Sequence, residues 1–135
     1  MDFLPPISIW LIVEPMACPR PRATKKGHIY MPKKYTEWKN LAVWKLLASN
    51  TKREITKCRV ELKMFHKRIK SIKKEGRTPK YTKGDLDNEI KSVLDCLVGA
   101  QILKDDNAVQ KIIAEKWYCA KGEDPHIEIH IFPIK

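Results

Sequence analysis

The stretch of sequence that decides the fold runs from residue 83 to residue 98 and reads KGDLDNEIKSVLDCLV. Its apolar residues recur at the spacing of one helix face, and they are Leu86, Ile90, Val93, Leu94, Leu97 and Val98. This spacing predicts an amphipathic helix that begins near Asp87 or Asn88 and stops at Gly99. Asp87, Lys91 and Asp95 follow at four-residue intervals, so the same helix presents a polar stripe.

Patterns on either side of this helix predict strands and one further helix. Residues 7–13 form a β-branched and aromatic run with prolines on both sides, which predicts a buried strand. Residues 33–49 carry apolar side chains at helical spacing. Three further segments predict strands, and they are residues 55–65, 108–118 and 127–132.

The resulting order is strand, helix, strand, basic loop, helix, strand and strand. It predicts one small α+β domain over residues 1–135, in which two helices pack on a mixed β-sheet of about four strands. A chain of 135 residues is long enough to bury its own hydrophobic core. Prolines and glycines predict irregular loops at residues 14–32 and 66–84.

The N-terminal segment and the cysteines indicate the cellular compartment in which the protein is expected. The apolar run 7–13 is too short to span a bilayer, and no positively charged leader precedes it. We therefore expect a cytoplasmic protein with no membrane partner. No cysteine pair has the close spacing of a zinc site, which predicts free thiols in a reducing compartment at Cys18, Cys58, Cys96 and Cys119.

The charge of the chain is unusual both in size and in distribution. There are 27 Lys and Arg residues against 16 Asp and Glu residues, a formal net charge of +11. Such an excess attracts polyanions, and nucleic acid is the first candidate. The excess lies in the two predicted loops, although each loop by itself is also compatible with a merely solvated surface. The candidate DNA-binding residues are Arg20, Arg22, Lys25, Lys26, Lys67, Arg68, Lys70, Lys73, Lys74, Arg77 and Lys83.

Residues 85–106 form an acidic centre between these basic segments, with six acids and two lysines. Clustered carboxylates repel a phosphate backbone, so the combination indicates a divalent cation between carboxylate and phosphate. Asp85 and Asp87 flank Leu86 and face one side if the chain is extended there, and Asp87 can also cap the helix. A return of the chain across the sheet could bring Asp106 beside them. Hard oxygen ligands of this kind suit Mg²⁺ or Mn²⁺.

Two other functions compete with a metal-dependent nuclease. A nucleotidyl- or glycosyl-transferase can use D-x-D to hold a metal–nucleotide, but the sequence has no Gly-rich phosphate loop. A non-catalytic nucleic-acid-binding module would use the basic loops and would have little use for the acidic centre. No small-molecule cofactor is expected.

Taken together, the acidic motifs resemble those of the RusA family of Holliday junction resolvases. The motif D-L-D-N-x-x-K-x-x-x-D spans residues 85–95, and an Asp pair follows at residues 105–106. The Pro- and Arg-rich loop at residues 18–22 and the Tyr-Met-Pro at residues 30–32, before a Trp-bearing helix, are also similar to that family. The resemblance covers roughly residues 7–132.

This resemblance implies a homodimeric, Mg²⁺-dependent endonuclease that resolves four-way DNA junctions by paired symmetric nicks. Mn²⁺ is expected to replace Mg²⁺. The implied catalytic carboxylates and metal ligands are Asp85, Asp87 and Asp106, and the implied essential lysine is Lys91. The resemblance also implies a role in DNA recombination and repair and a phage or prophage origin.

Several residues depart from the family pattern or lack a clear role. Glu89 stands where the family has an apolar or neutral residue, and on a helix it is expected to point away from Asp87. Asn107 stands where a small residue is more usual. The side chains expected in the core are Trp10, Trp38 and Trp44. The candidates for DNA contact beside basic segments are Tyr30, Tyr35, Tyr81, His28 and His66.

Overall fold

The structure is a computed structural model that describes residues 1–49 and 51–135. Its helices are α1, Lys33–Ala48, and α2, Leu86–Gly99. A 3₁₀ turn spans Asp106–Ala108. The strands are β1 Ile7–Leu11, β2 Arg22–Ala23, β3 Ile29–Tyr30, β4 Cys58–His66, β5 Thr78–Pro79, β6 Val109–Tyr118 and β7 His126–Pro133.

The main sheet has five strands in the order β1-β7-β4-β6-β5. β4 and β6 are parallel, whereas the other neighbouring strands are antiparallel. A parallel pair needs a crossover connection, and α2 supplies it between β4 and β6. The chain is therefore a small α+β domain with a mixed sheet, as the sequence predicts, and β5 adds one short strand to the expected four.

Both helices pack against one face of this sheet and form the core with it. The alternation along β4 and β7 sends every second side chain to that face, and the register places Leu62 opposite Ile129. Each fully buried aliphatic side chain contributes about 1.5–3 kcal/mol relative to exposure. The core combines side chains from both helices and from these central strands, including Ala42, Leu46, Val60, Leu62, Met64, Val93, Leu97, Ile127, Ile129 and Ile131.

The two predicted loops contain short strands, so the expectation of irregular structure is wrong at these points. Residues 22–30 form a hairpin of β2 and β3, and Gly27 adopts a positive φ of 82° in its turn. Every residue from 20 to 30 is exposed, and we call this segment the hairpin arm. In the second loop, β5 pairs with the end of β6. Strands of two residues carry no detectable periodicity, which is why the sequence pattern misses them.

Gly99 has a different role from the one predicted. It is the last residue of α2, and the positive φ beyond the helix, 60°, falls on Gln101. A Cβ atom at Gly99 would lie 3.1 Å from Cγ2 of Val43 on α1. The glycine therefore allows α1 and α2 to approach closely, and the left-handed position after the helix is occupied by Gln101 and not by Gly99.

The expectation of a core position is wrong for Trp10 and Trp44. Both are exposed, and on α1 Trp44 is 66% exposed beside Leu41 and Leu47, which are 48% and 51% exposed. We call these three residues the outer face of α1. Trp38 is half-buried against the core, and its indole donates a hydrogen bond of 2.8 Å to the carbonyl of Glu14.

The prediction of free thiols is confirmed, because all four cysteines are unpaired and buried. Within the described residues, neither helix has the length and apolar character needed to cross a membrane.

Candidate active site

The first acidic group lies where α2 begins. Asp85 occupies the N-cap position, which corrects the prediction that Asp87 caps the helix. The backbone carbonyl of Asp85 accepts the N–H groups of Asn88 and Glu89, each at 3.1 Å, and its side chain makes no capping hydrogen bond. Asp85 and Asp87 are both exposed. Both carboxylates are therefore available to a ligand, in the positive field of a helix N-terminus.

The loop that leads into Asp85 is fixed by lysines. Nζ of Lys116, on β6, donates to the carbonyls of Gly84 at 2.6 Å and Thr82 at 3.2 Å. Nζ of Lys80 also donates to the carbonyls of Thr82 and Lys83. Gly84 has a positive φ of 108°, which only glycine adopts without strain. The contacts of Lys116 with this loop were not predicted from the sequence, because β6 lies far from the loop along the chain.

A buried acid–base pair anchors the first turn of α2. Oε1 of Glu89 lies 2.6 Å from Nε2 of His66, and the side chains are 1% and 13% exposed. Oε2 of Glu89 is buried without a hydrogen-bond partner in the described structure, and a Cβ atom at Gly84 would lie 3.1 Å from it. Glu89 is about 200° around the helix from Asp87 at 100° per residue, so the expectation that it points away is confirmed.

This pair also corrects the interpretation of His66. The residue is the last of β4, and its imidazole faces Glu89 and not a phosphate. In the sequence, the only sign of this pair is Glu89, an acid where the family has an apolar or neutral residue. Its partner His66 lies 23 residues away and could not be identified from the pattern.

The second acidic group lies at the 3₁₀ turn. Oδ1 of Asp105 accepts the N–H of Asn107 at 2.8 Å and so caps the turn. This hydrogen bond, together with one from Asp106, lowers the pKa of Asp105. The pKa of Asp106 is raised, because the carboxylate of Asp105 hydrogen-bonds to its protonated form and repels its charge. The two carboxylates thus repel each other, and a bound divalent cation would reduce this repulsion.

Asp106 lies beside the far half of α2. It lines a shallow cleft of about 300 Å³ together with Asp105, Asp95 and Lys39, and the charge of Asp95 contributes to its raised pKa. Asp87 and Asp95 are eight residues apart, which is about 12 Å along the axis at 1.5 Å per residue.

The carboxylates of the single chain therefore form two groups. Asp85 and Asp87 stand at the start of α2, and Asp106 stands with Asp105 and Asp95 near its end. Lys91 is exposed between them, four residues from both Asp87 and Asp95. Among the described residues, no three acidic, histidine or cysteine side chains lie close enough together to hold a metal ion. The donor atoms suit Mg²⁺, and a shared site for Asp85, Asp87 and Asp106 stays a prediction.

Most of the predicted DNA-binding side chains are exposed. Four lie on the hairpin arm, and six lie in the segment from residue 67 to residue 83, which we call the basic segment. These ten are Arg20, Arg22, Lys25, Lys26, Lys67, Lys70, Lys73, Lys74, Arg77 and Lys83.

Two arginines of the basic segment have internal partners. The guanidinium of Arg68 donates to the carbonyls of Ile72 at 3.2 Å and Cys119 at 3.5 Å, among others.

Arg77 is held by an aromatic ring and by two carboxylates. Its guanidinium lies 4.0 Å above the ring of Phe65 and pairs with Glu123 at 2.7 Å and Glu128 at 2.9 Å. The hydrogen bond that Arg77 donates to Glu123 raises the pKa of Arg77, and the same bond lowers the pKa of Glu123. Both arginines thus fasten the basic segment to the body of the domain.

Comparison with known proteins adds the family. No curated protein matches the chain. The family model of endodeoxyribonuclease RusA matches residues 13–132, a range that includes both acidic groups, Lys91, the hairpin arm and the basic segment. The chain belongs to the RusA family of endodeoxyribonucleases, which act on DNA.

Proposed function

We propose that this nuclease resolves Holliday junctions by paired symmetric nicks and that it depends on Mg²⁺. The observation that carries the proposal is the line of acidic side chains along α2, with Lys91 between them, in a chain that also exposes the hairpin arm and the basic segment. Basic side chains attract the DNA backbone, whereas exposed carboxylates repel it unless a divalent cation lies between them. Mn²⁺ has a similar preference for oxygen ligands and is expected to replace Mg²⁺.

Each part of the site has a role in this reaction. Asp85, Asp87 and Asp106 would hold the metal, which when bound supplies an activated water and neutralises charge on the scissile phosphate. Lys91 lies one helical turn from Asp87, where its ammonium group stabilises charge on the leaving oxygen. Hydrolysis leaves a 5′-phosphate and a 3′-hydroxyl. Lysines and arginines of the hairpin arm and the basic segment grip phosphates without reading sequence.

A homodimer would give the enzyme two such sites related by two-fold symmetry, which matches paired nicks in a four-way junction. The outer face of α1 supports this proposal, because exposed apolar side chains that adjoin one another are typical of protein interfaces. Trp44→Glu is expected to convert a dimer to a monomer in sedimentation experiments. The matched control is Ile113→Glu, at an exposed position on the opposite face of the sheet. If only Ile113→Glu dissociates the dimer, the interface lies on the face of the sheet that carries Ile113.

The proposed setting is DNA recombination and repair in a bacterial cytoplasm, with a phage or prophage gene as the source. The family and the reaction support this setting.

The experiment is cleavage of a four-way junction labelled in turn on each strand. With Mg²⁺ the protein is expected to nick two opposing strands symmetrically, and Asp87→Asn is expected to bind the junction without cutting it. Asp124→Asn, at an exposed acid in the turn between β6 and β7, is the matched control and should cut normally. Equal cutting of linear duplex would contradict junction selectivity. Binding without any cutting would favour a non-catalytic module.

A further inference from the structure

The tyrosines of this chain fall into two kinds. Tyr35 and Tyr118 are buried and pack within the domain, whereas Tyr81 is 91% exposed. Tyr81 lies in the basic segment, four residues before Asp85. Its hydroxyl makes no hydrogen bond among the described residues. The ring therefore contributes almost nothing to the stability of the fold, although aromatic side chains are normally the ones that gain most from burial.

The backbone that carries Tyr81 is held in place on both sides. Lys80 and Lys116 both donate to the carbonyl of Thr82, and the hydroxyl of Thr82 bonds to that of Tyr118. N–H of Lys80 also bonds to the carbonyl of Lys116, as part of the pairing with β6. The loop is thus fixed to the sheet while the ring of Tyr81 projects into solvent.

The position of the ring relative to the acidic motif limits what it can touch. Four residues span at most about 14 Å, so the ring lies within about four nucleotides of a phosphate bound at Asp85, at 3.4 Å per nucleotide along a strand. Lys80 and Lys83 flank it in the sequence. An exposed aromatic ring among basic side chains is the arrangement that stacks on bases freed from a duplex.

We propose that Tyr81 stacks on an unstacked base at the branch point of the junction and thereby positions the scissile phosphate. This inference rests on the proposed function and specifies the feature of the substrate that the site recognises. Bases at a branch point lack one stacking neighbour, so freeing them costs less than freeing a base inside continuous duplex. Linear duplex offers no such base, and Tyr81 therefore contributes to selectivity for junctions.

The test uses a four-way junction with 2-aminopurine at the branch point, in chelator, so that binding is observed without cutting. Wild-type protein is expected to change the fluorescence of the 2-aminopurine, and Tyr81→Phe should retain the change. Tyr81→Ala should abolish it and weaken junction binding by about tenfold to a hundredfold. Its affinity for linear duplex should stay the same. Trp10→Ala removes an exposed aromatic ring from β1 and is the matched control.

The outcomes separate this inference from the nuclease proposal. If Tyr81→Ala keeps the fluorescence change, or loses duplex and junction affinity equally, the stacking role is wrong even though wild-type protein cuts. If the change depends on Tyr81 but wild-type protein leaves the junction intact in Mg²⁺, the stacking role stands and the nuclease proposal fails. Thermal unfolding of Tyr81→Ala should match wild type, because the ring is 91% exposed and buries almost no surface.

Discussion

The buried pair of His66 and Glu89 allows a sharp prediction about stability. His66→Ala removes the only partner, among the described residues, of a carboxylate that is 1% exposed and already has one oxygen without a hydrogen bond. Both oxygens of Glu89 would then be buried and unpaired. Removing one member of a buried pair is costly, because the charge that is left behind has lost its hydration without compensation.

The magnitude follows from the burial of the two side chains. Breaking a buried pair costs about 3–5 kcal/mol. The side chain of His66 is 13% exposed, so water can enter the space it leaves, and we expect a loss near the lower end, about 3 kcal/mol. For a chain of this length, that loss corresponds to a decrease of about 10 °C in Tm.

The assay is urea unfolding at one fixed protein concentration, with the free energy of unfolding extrapolated to water. Glu89→Leu is the informative partner variant, because it removes the buried carboxylate and leaves a histidine whose side chain is partly exposed. It should destabilise less than His66→Ala, and the double variant His66→Ala/Glu89→Leu should be more stable than His66→Ala alone. The reasoning is refuted if His66→Ala unfolds like wild type, or if Glu89→Leu is the more damaging of the two.

Three further predictions concern the charges around the site. Lys70→Ala should reduce the slope of log DNA affinity against log salt concentration by about 0.9 and leave Tm unchanged. Arg77→Ala should instead lower the free energy of unfolding by about 1 kcal/mol, because the paired guanidinium is 39% exposed and its ion pairs are screened by water. Asp105→Asn should lower the pKa of Asp106 in metal-free NMR titrations, since the carboxylate of Asp105 raises it, and an unchanged pKa would contradict the coupling. Lys116→Met should reduce nicking about tenfold or more with little change in junction affinity, and loss of affinity alone would argue against a role in fixing the loop.

The main elements of the fold could be predicted because their side chains repeat. Six apolar residues at helical spacing define α2, and the alternation Ile127, Ile129, Ile131 defines β7. The position of the helix cap could not be predicted in the same way. Both Asp85 and Asp87 can cap a helix, and the choice depends on the conformation of Gly84 and on Lys116, which reaches the loop from another strand.

The site was predicted in its residue types and less well in its arrangement. The acidic centre, the basic segments and Lys91 follow from charge distribution and from a motif. The roles of Arg68 and Arg77 do not, because an arginine that binds carbonyls and one that binds phosphate are identical in sequence. The same holds for His66, whose partner is fixed only when β4 and α2 pack together.

The rigidity of α2 limits how the two acidic groups can come together. The helix is anchored at its start by Glu89 and His66 and at its end by the close contact of Gly99 with Val43. The separation of about 12 Å between Asp87 and Asp95 is a property of the helix itself, so it cannot shorten while α2 stays folded. The turn that carries Asp106 has three residues and is largely exposed. We therefore expect a metal site that gathers Asp106 with Asp85 and Asp87 to form by movement of this turn or with a second copy of the chain, and not by a change within α2.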